Sequence, residues 1–303
     1  MLEVVGLSKC FKTKTVLSNV TFTIPTTGIH GLIGANGAGK TTTMKLLLGL
    51  LAPDEGTITF NGERVKPHQN AMTPSIGYLP DVPQFYGYLT AAEYLLLCGE
   101  LAGQSPAERN QTTQTLLKKV GLEKQATQRI QGFSRGMKQR LGIAQALVTR
   151  PQLLICDEPT SALDPKGRHE VLALLTELKR EMAIVLSTHL LQDAAAICDS
   201  VMMMHQGTIV YAGTLPDLYA NYETEAVLLA CHTDEAVATL RQSLATCAWA
   251  KNIKQVGTTL EVNVSAYDQV YPLLLQLLIT VGLQPDISRV EPQLEQIYLE
   301  VIQ

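Results

Sequence analysis

Along the first two thirds of the chain, short β-rich runs take turns with helical ones. Positions 16–24 alternate apolar and polar side chains, the period of a half-buried strand. Residues 28–33 form a short apolar strand, and 40–50 follow as a helix. Residues 57–60 run into Asn61-Gly62, a dipeptide suited to a tight hairpin turn. Residues 90–120 read as mostly helical, with Gly103 and Pro106 marking a break. Helix 134–149, strand 153–156, helix 165–180 and strand 183–187 complete the series. Such alternation predicts an α/β fold with a largely parallel sheet flanked by helices. The antiparallel runs near the N-terminus suggest an added β layer.

After about Tyr219 the texture changes. The pattern predicts a strand at 226–231, a helix at 234–244, and a strand pair at 249–255 and 259–264 around Val256-Gly257. A helix at 268–279, a strand at 286–290 and a last helix at 291–302, with Pro292 in its first turn, follow. The order βαββαβ is that of a small ferredoxin-like α+β domain. The expected division is therefore 1–218 and 219–303.

Composition narrows the class. Hydrophobic residues make up 46% of the 303 and charged residues 17%, enough apolar material for a packed core. No stretch reaches the roughly eighteen continuous apolar residues that span a bilayer. With Glu3 early and no long apolar run behind it, a signal peptide is not expected. If the protein works at a membrane, a partner must hold it there. Residues 1–216 carry 20 basic and 17 acidic side chains, and 217–303 carry 4 and 11. A near-neutral body with an acidic tail gives no footprint for nucleic acid. The six cysteines form no CxxC pair and read as reduced thiols, and the six histidines show no metal spacing.

Gly34-Ala-Asn36-Gly37-Ala38-Gly39-Lys40-Thr41 fits GxxxxGK[ST]. It lies directly after a predicted strand and opens a predicted helix that continues through Thr42, the context this motif requires. Glycines let the backbone curl so that successive N–H groups point at phosphate oxygens, and the helix N-terminus adds a positive dipole end. Lys40 is a mobile charge for the β- and γ-phosphates of ATP, and the Thr41 hydroxyl a ligand for Mg²⁺.

Residues 153–156 are apolar and end in Asp157-Glu158. Adjacent carboxylates at the end of a buried strand are costly unless something balances them. A Mg²⁺ ion would balance Asp157, and Glu158 would then stand ready to orient or deprotonate an attacking water. The plain alternative is that two acids begin an exposed loop; beside a phosphate loop that reading loses ground.

Further motifs bring in a family. Phe133-Ser134-Arg135-Gly136-Met137-Lys138-Gln139-Arg140 resembles the LSGGQ signature of ATP-binding-cassette (ABC) ATPases. Ser161-Ala-Leu-Asp164 looks like their D-loop, and Ser187-Thr188-His189 like their switch-histidine loop. Order and spacing match over residues 1 to about 218. The resemblance implies a RecA-like core, an antiparallel β layer and a helical subdomain around 90–145. It implies that Ser134 and Gly136 close over the ATP of a second copy, that Asp164 meets that copy's phosphate loop, and that His189 contacts the γ-phosphate and the water. Ser134 is also an ordinary helix N-cap in sequence terms. Phe11 occupies the slot of an adenine-stacking aromatic, or is a core strand residue.

Ile76-Gly-Tyr-Leu-Pro80-Asp81 looks like the Q-loop, which senses the metal and couples it to the membrane partner. Asp81 stands where the family has Gln or Glu, with Gln84 three residues on. Arg135 replaces a signature glycine and Met137 the signature glutamine. The tail 294–300 resembles a segment of exporter ATPases for drugs, bacitracin and surface polysaccharides. Its apolar positions Leu294, Ile297, Tyr298 and Val301 share one helix face, which either closes the small domain or meets a partner. The expectation is an ATP-hydrolysing subunit paired with an integral membrane permease and with a second copy of itself. A soluble non-transport ABC ATPase and a low-turnover regulatory subunit are the rivals.

Overall fold

The computed structural model describes residues 1–67, 75–221, 225–264, 267–290 and 293–302. It divides into two compact units, Met1–Leu215 and Pro216–Val301.

The first unit opens with two long antiparallel strands, β1 (Leu2–Phe11) and β2 (Lys14–Ile24). The next strand, β3 (Gly28–Ile33), feeds the phosphate loop and then α1 (Lys40–Leu47). β4 (Glu55–Phe60) and the two-residue β5 (Glu63–Arg64) form the expected hairpin. Its turn residues Asn61 and Gly62 both have positive φ, 52° and 83°, as a tight right-twisted hairpin requires. β6 (Ile76–Leu79) precedes the helical stretch. That stretch splits at Gly103 into α2 (Ala91–Leu101) and α3 (Pro106–Lys119). Thr90 and Glu93 form a capping box on α2, and Ser105 caps α3 with Pro106 in its first turn. α4 (Arg135–Ala146), β7 (Leu153–Asp157), α5 (Pro165–Leu178) and β8 (Ala183–Thr188) follow as the pattern predicts.

Three elements that the periodicity did not reveal complete the core: α6 (Leu191–Ile197), β9 (Ser200–His205) and β10 (Thr208–Thr214). β9 is a buried Val-Met-Met-Met run, and methionine carries no strand signal. β1, β6 and the short α7 (Leu215–Asn221) were also not read as elements.

Two sheets result. The antiparallel layer runs β2-β1-β4-β5, and the main sheet β10-β9-β3-β8-β7-β6. In the main sheet β3, β6, β7, β8 and β9 are mutually parallel and β10 turns back along β9. One apolar cluster joins the layers. It takes Leu17, Val20 and Phe22 from β2, Met44 and Leu47 from α1, and Leu32, Ile155, Val185 and Met202 from the main sheet. Parallel strands buried on both faces explain the continuous apolar runs in the sequence. They also place the ends of β3, β7 and β8 side by side, where ligands bind in open α/β sheets.

The second unit runs β11 (Glu225–Ala230), α8 (Asp234–Leu244), β12 (Asn252–Val256), β13 (Thr259–Val264), α9 (Tyr267–Val281), β14 (Asp286–Val290) and α10 (Leu294–Val301). Its antiparallel sheet has the order β12-β13-β11-β14. Val227, Leu229, Leu260 and Val262 pack on Leu240, Leu244, Leu274 and Leu278 of the two helices. Strand β12 begins at Asn252 rather than 249. Residues 291–292, the expected start of the last helix with Pro292, lie outside the described residues. Leu294, Ile297 and Tyr298 of α10 are buried, while Val301 is half-buried.

Candidate functional site

The phosphate loop begins where β3 ends. Gly34 has no room for a Cβ, which would collide with the Met204 carbonyl. Gly39 is the N-cap of α1 with φ 112°, and a Cβ there would lie 2.6 Å from Leu17 Cδ2. Both positions therefore need glycine, one for space and one for space and conformation together. Lys40 is 6% exposed, and its Nζ donates to Gly34 O at 2.8 Å and Ala35 O at 3.3 Å. The amine thus rests inside the loop's own curve.

The second half of the site comes from β7 and β8. Asp157 is 4% exposed. Its Oδ1 accepts from Ser187 Oγ at 2.5 Å and from Thr41 Oγ1 at 3.4 Å. Glu158 has φ 50°, a left-handed conformation that costs a non-glycine residue energy. Its N–H donates to Ser187 O and Ser187 Oγ, each at 3.1 Å, so β8 holds the strained residue in place. The Glu158 carboxylate lies between two nitrogens: Lys40 Nζ 3.5 Å from Oε1 and His189 Nδ1 2.8 Å from Oε2.

The phosphate loop, Glu158 and His189 open onto one cavity of about 850 Å³, whose lining does not include the buried Asp157. It is lined by Asn36, Gly37, Gly39, Lys40, Thr41, Thr42, Asp81, Glu158 and His189. Lys14, Thr15 and Val16 from the β1–β2 hairpin also line it, with Gln206 and Gly207, five residues that sequence reasoning passed over, and with Ser161, the first residue of the D-loop motif. Only the folding of β2 over the loop brings the first three there, so no local pattern marks them. Gly34 and Ala38 shape the loop from behind. Gln84 does not line the cavity.

Asp81 follows β6. Burial pushes its carboxyl above the usual range, Arg135 opposes the shift, and Asp157 and Glu158 add to it. Asp81 Oδ1 is buried with no hydrogen-bond partner. Tyr78, on β6, is pushed up to about 12 by burial and by the nearby Asp157 charge. An unsatisfied carboxylate oxygen, a shared Asp157 oxygen and the Thr41 hydroxyl form an all-oxygen donor set. That set fits Mg²⁺, which binds one or two carboxylates together with phosphate oxygens and keeps several waters. Among the described residues no cluster of three His, Cys, Asp or Glu forms a self-sufficient metal cage.

The remaining candidates lie apart from this cavity. Phe11, at the end of β1, is 44% exposed with Lys9 Nζ 5.5 Å from its ring centroid, so it is no core residue. Ser134 is the N-cap of α4 and accepts from Met137 N–H at 3.2 Å. Gly136, in the first turn, faces α5, where a Cβ would lie 3.5 Å from Gly167 Cα. Asp164 caps α5, accepting from Gly167 N–H at 3.1 Å.

Fold and site together define an ATP-hydrolysing domain of the phosphate-loop class. A model of the ABC transporter family matches residues 17–161. The uncharacterized ABC transporter ATP-binding protein YxlF of Bacillus subtilis is 44% identical over 229 residues, 76% of each chain. The Nod factor export ATP-binding protein I of Burkholderia lata is 35% identical over 261 residues, 86% of this chain and 84% of its own. A dimeric structure of a post-hydrolysis state of the ATP-binding cassette MJ0796, bound to ADP and Pi, superposes with a TM-score of 0.64. It is 25% identical and covers 71% of this chain and 99% of that one.

The chain belongs to the ABC transporter family and is the ATP-binding, ATP-hydrolysing subunit of a transport system. Among the described residues no helix is long and apolar enough to cross a membrane.

Proposed function

We propose that the chain is the motor of a membrane exporter, held at the cytoplasmic face by an integral membrane permease. Two copies close head to tail over two ATP molecules. Each ATP sits on one copy's phosphate loop and meets Ser134, Gly136 and Asp164 of the other. Support comes from placement: those three residues do not line the cavity that holds their own copy's loop. The exporter reading draws on the Nod factor export relative, whose match reaches into the small domain.

The chemistry follows from the resting contacts. Lys40 exchanges the Gly34 and Ala35 carbonyls for β- and γ-phosphate oxygens, while backbone N–H groups of residues 36–42 cradle the rest. Phe11 offers its exposed ring to adenine. Thr41, Asp157 and Asp81 would hold Mg²⁺, which when bound neutralises charge on the phosphates. Glu158 orients the attacking water and accepts its proton. His189, already against the Glu158 carboxylate, steadies it and faces the γ-phosphate.

The observation that carries this reading is the Glu158 carboxylate, held in a strained turn between Lys40 and His189 at the mouth of the phosphate loop. Its test is Glu158→Gln. This variant keeps the shape and loses the base. It is expected to abolish ATP turnover and to trap an ATP-bound dimer detectable by light scattering. Undiminished turnover, or a variant that stays monomeric at saturating ATP and Mg²⁺, rules the mechanism out.

A further inference from the structure

Asp193 lies on the first turn of α6, four residues past His189, and is 2% exposed. A carboxylate this deep is expensive unless it is paired and fully hydrogen-bonded, and a buried ion pair seldom stabilises a fold more than apolar residues of the same volume. The neighbouring buried positions of α6, Ala194 and Ile197, are apolar, as packing alone would have it. Asp193 instead spends its two oxygens on two different elements. Oδ2 accepts from the hydroxyl of Thr160, itself 2% exposed, at 2.5 Å. Oδ1 accepts from Arg168 Nε of α5 at the same distance.

Thr160 belongs to the turn that carries Glu158. That turn holds two non-glycine residues in the left-handed region, Glu158 at 50° and Ala162 at 52°. Such conformations persist only where surrounding contacts over-determine them. Ser187 secures the turn at its start through the Glu158 N–H. Within the turn the backbone adds only Ser161 N–H to Glu158 O at 3.1 Å and Leu163 N–H to Thr160 O at 3.3 Å. The Thr160 hydroxyl ties it to the element that follows His189. On the other side, Arg168 stands four residues past Asp164 and one past Gly167, which meets Gly136 of the signature helix.

We infer that Asp193 is a positioning residue for ATP hydrolysis: through Thr160 and Arg168 it sets the Glu158 turn against His189 and locks both to α5. The inference rests on the role proposed for Glu158 and His189. Neither Asp193 nor Thr160 lines the cavity at the phosphate loop, so their removal is expected to act on the rate and to spare binding. Misplacement of a reacting group by about an ångström costs up to a hundredfold in rate.

Three variants of the full chain test it: Asp193→Asn, Thr160→Val and Thr160→Ser. Turnover and nucleotide affinity are measured on each, with thermal midpoints as a check on folding. Asp193→Asn and Thr160→Val are expected to lower kcat by roughly tenfold to a hundredfold with nucleotide affinity within about twofold of wild type. Thr160→Ser, which restores the hydroxyl, is expected to recover turnover. The double variant of Asp193→Asn with Thr160→Val is expected to lose little more than either single one, because both cut the same tie.

The inference is overturned if Thr160→Val keeps wild-type kcat while only its thermal midpoint falls, or if Thr160→Ser is as slow as Thr160→Val. A wild type that turns over freely and a Glu158→Gln variant that does the same would sink the Glu158 role, and this inference with it. A silent Glu158→Gln beside an unaffected Thr160→Val sinks this inference alone.

Discussion

Single residues carry opposite burdens at this site. Lys40 is nearly buried, yet its partners are two neutral carbonyls and one carboxylate 3.5 Å away. An amine so placed is stored for a stronger partner, and phosphate is the partner that the loop around it suits. Lys40→Ala is therefore expected to weaken nucleotide binding itself, by tenfold or more in a titration with a fluorescent ATP analogue; unchanged affinity would refute its phosphate role. Gly39 shows how tightly the backbone is bound to this task. Gly39→Ala places a methyl where φ is 112° and where Leu17 leaves no space. Its expected result is a misfolded loop, read as lost nucleotide binding with the rest of the fold retained in circular dichroism. Both residues were legible in the sequence, because glycine spacing and a following lysine are local facts. Lys14, Thr15 and Val16 were not, since only the fold of β2 over the loop brings them to the cavity. Asp193 escaped for the same reason: its partners lie 25 and 33 residues away in sequence.

Elements obey their local signals where those signals are strong. Thr90 with Glu93, and Ser105 with Pro106, start their helices where capping chemistry says they should. Thr90→Ala removes the side-chain acceptor for Glu93 N–H and is expected to destabilise the first unit by about 1 kcal/mol in chemical denaturation. β9 went unread because Met202, Met203 and Met204 fill space without announcing a strand, and α6 because seven residues are too few for a helical period to show. The start of β3 holds a hidden acid sensitivity. His30 is 3% exposed, with Nδ1 2.7 Å from Ser200 Oγ and Nε2 3.0 Å from Thr27 O. Burial lowers its pKa below 6.5, although the Thr27 carbonyl and the charge of Asp199 pull the other way. As pH falls through about 6.5 the unfolded chain binds a proton there that the folded chain refuses, so stability drops. His30→Gln is expected to flatten the fall in thermal midpoint between about pH 7 and 5.5. An unchanged slope would mean that His30 takes its proton without cost.

On the scale of the whole molecule, the sequence displays a division of labour that no single motif states. The first unit contains the loop, Asp81, Glu158 and His189 around one cavity, and its signature residues Ser134 and Gly136 and the D-loop Asp164 do not line that cavity. The second unit is a separate sheet with two helices on one face, expected from the βαββαβ order and built around its own core. Its role was not legible: the apolar face of α10 is buried, as packing alone would also require. The account nevertheless makes a strong claim about company. On the proposed function, an integral membrane permease holds the chain at the membrane. The direct test is to purify the protein from detergent-solubilised membranes of its own source and identify what comes with it by mass spectrometry. The account predicts a polytopic membrane protein in stoichiometric amount. Recovery of the chain alone in the soluble fraction, or only with soluble partners, would contradict it.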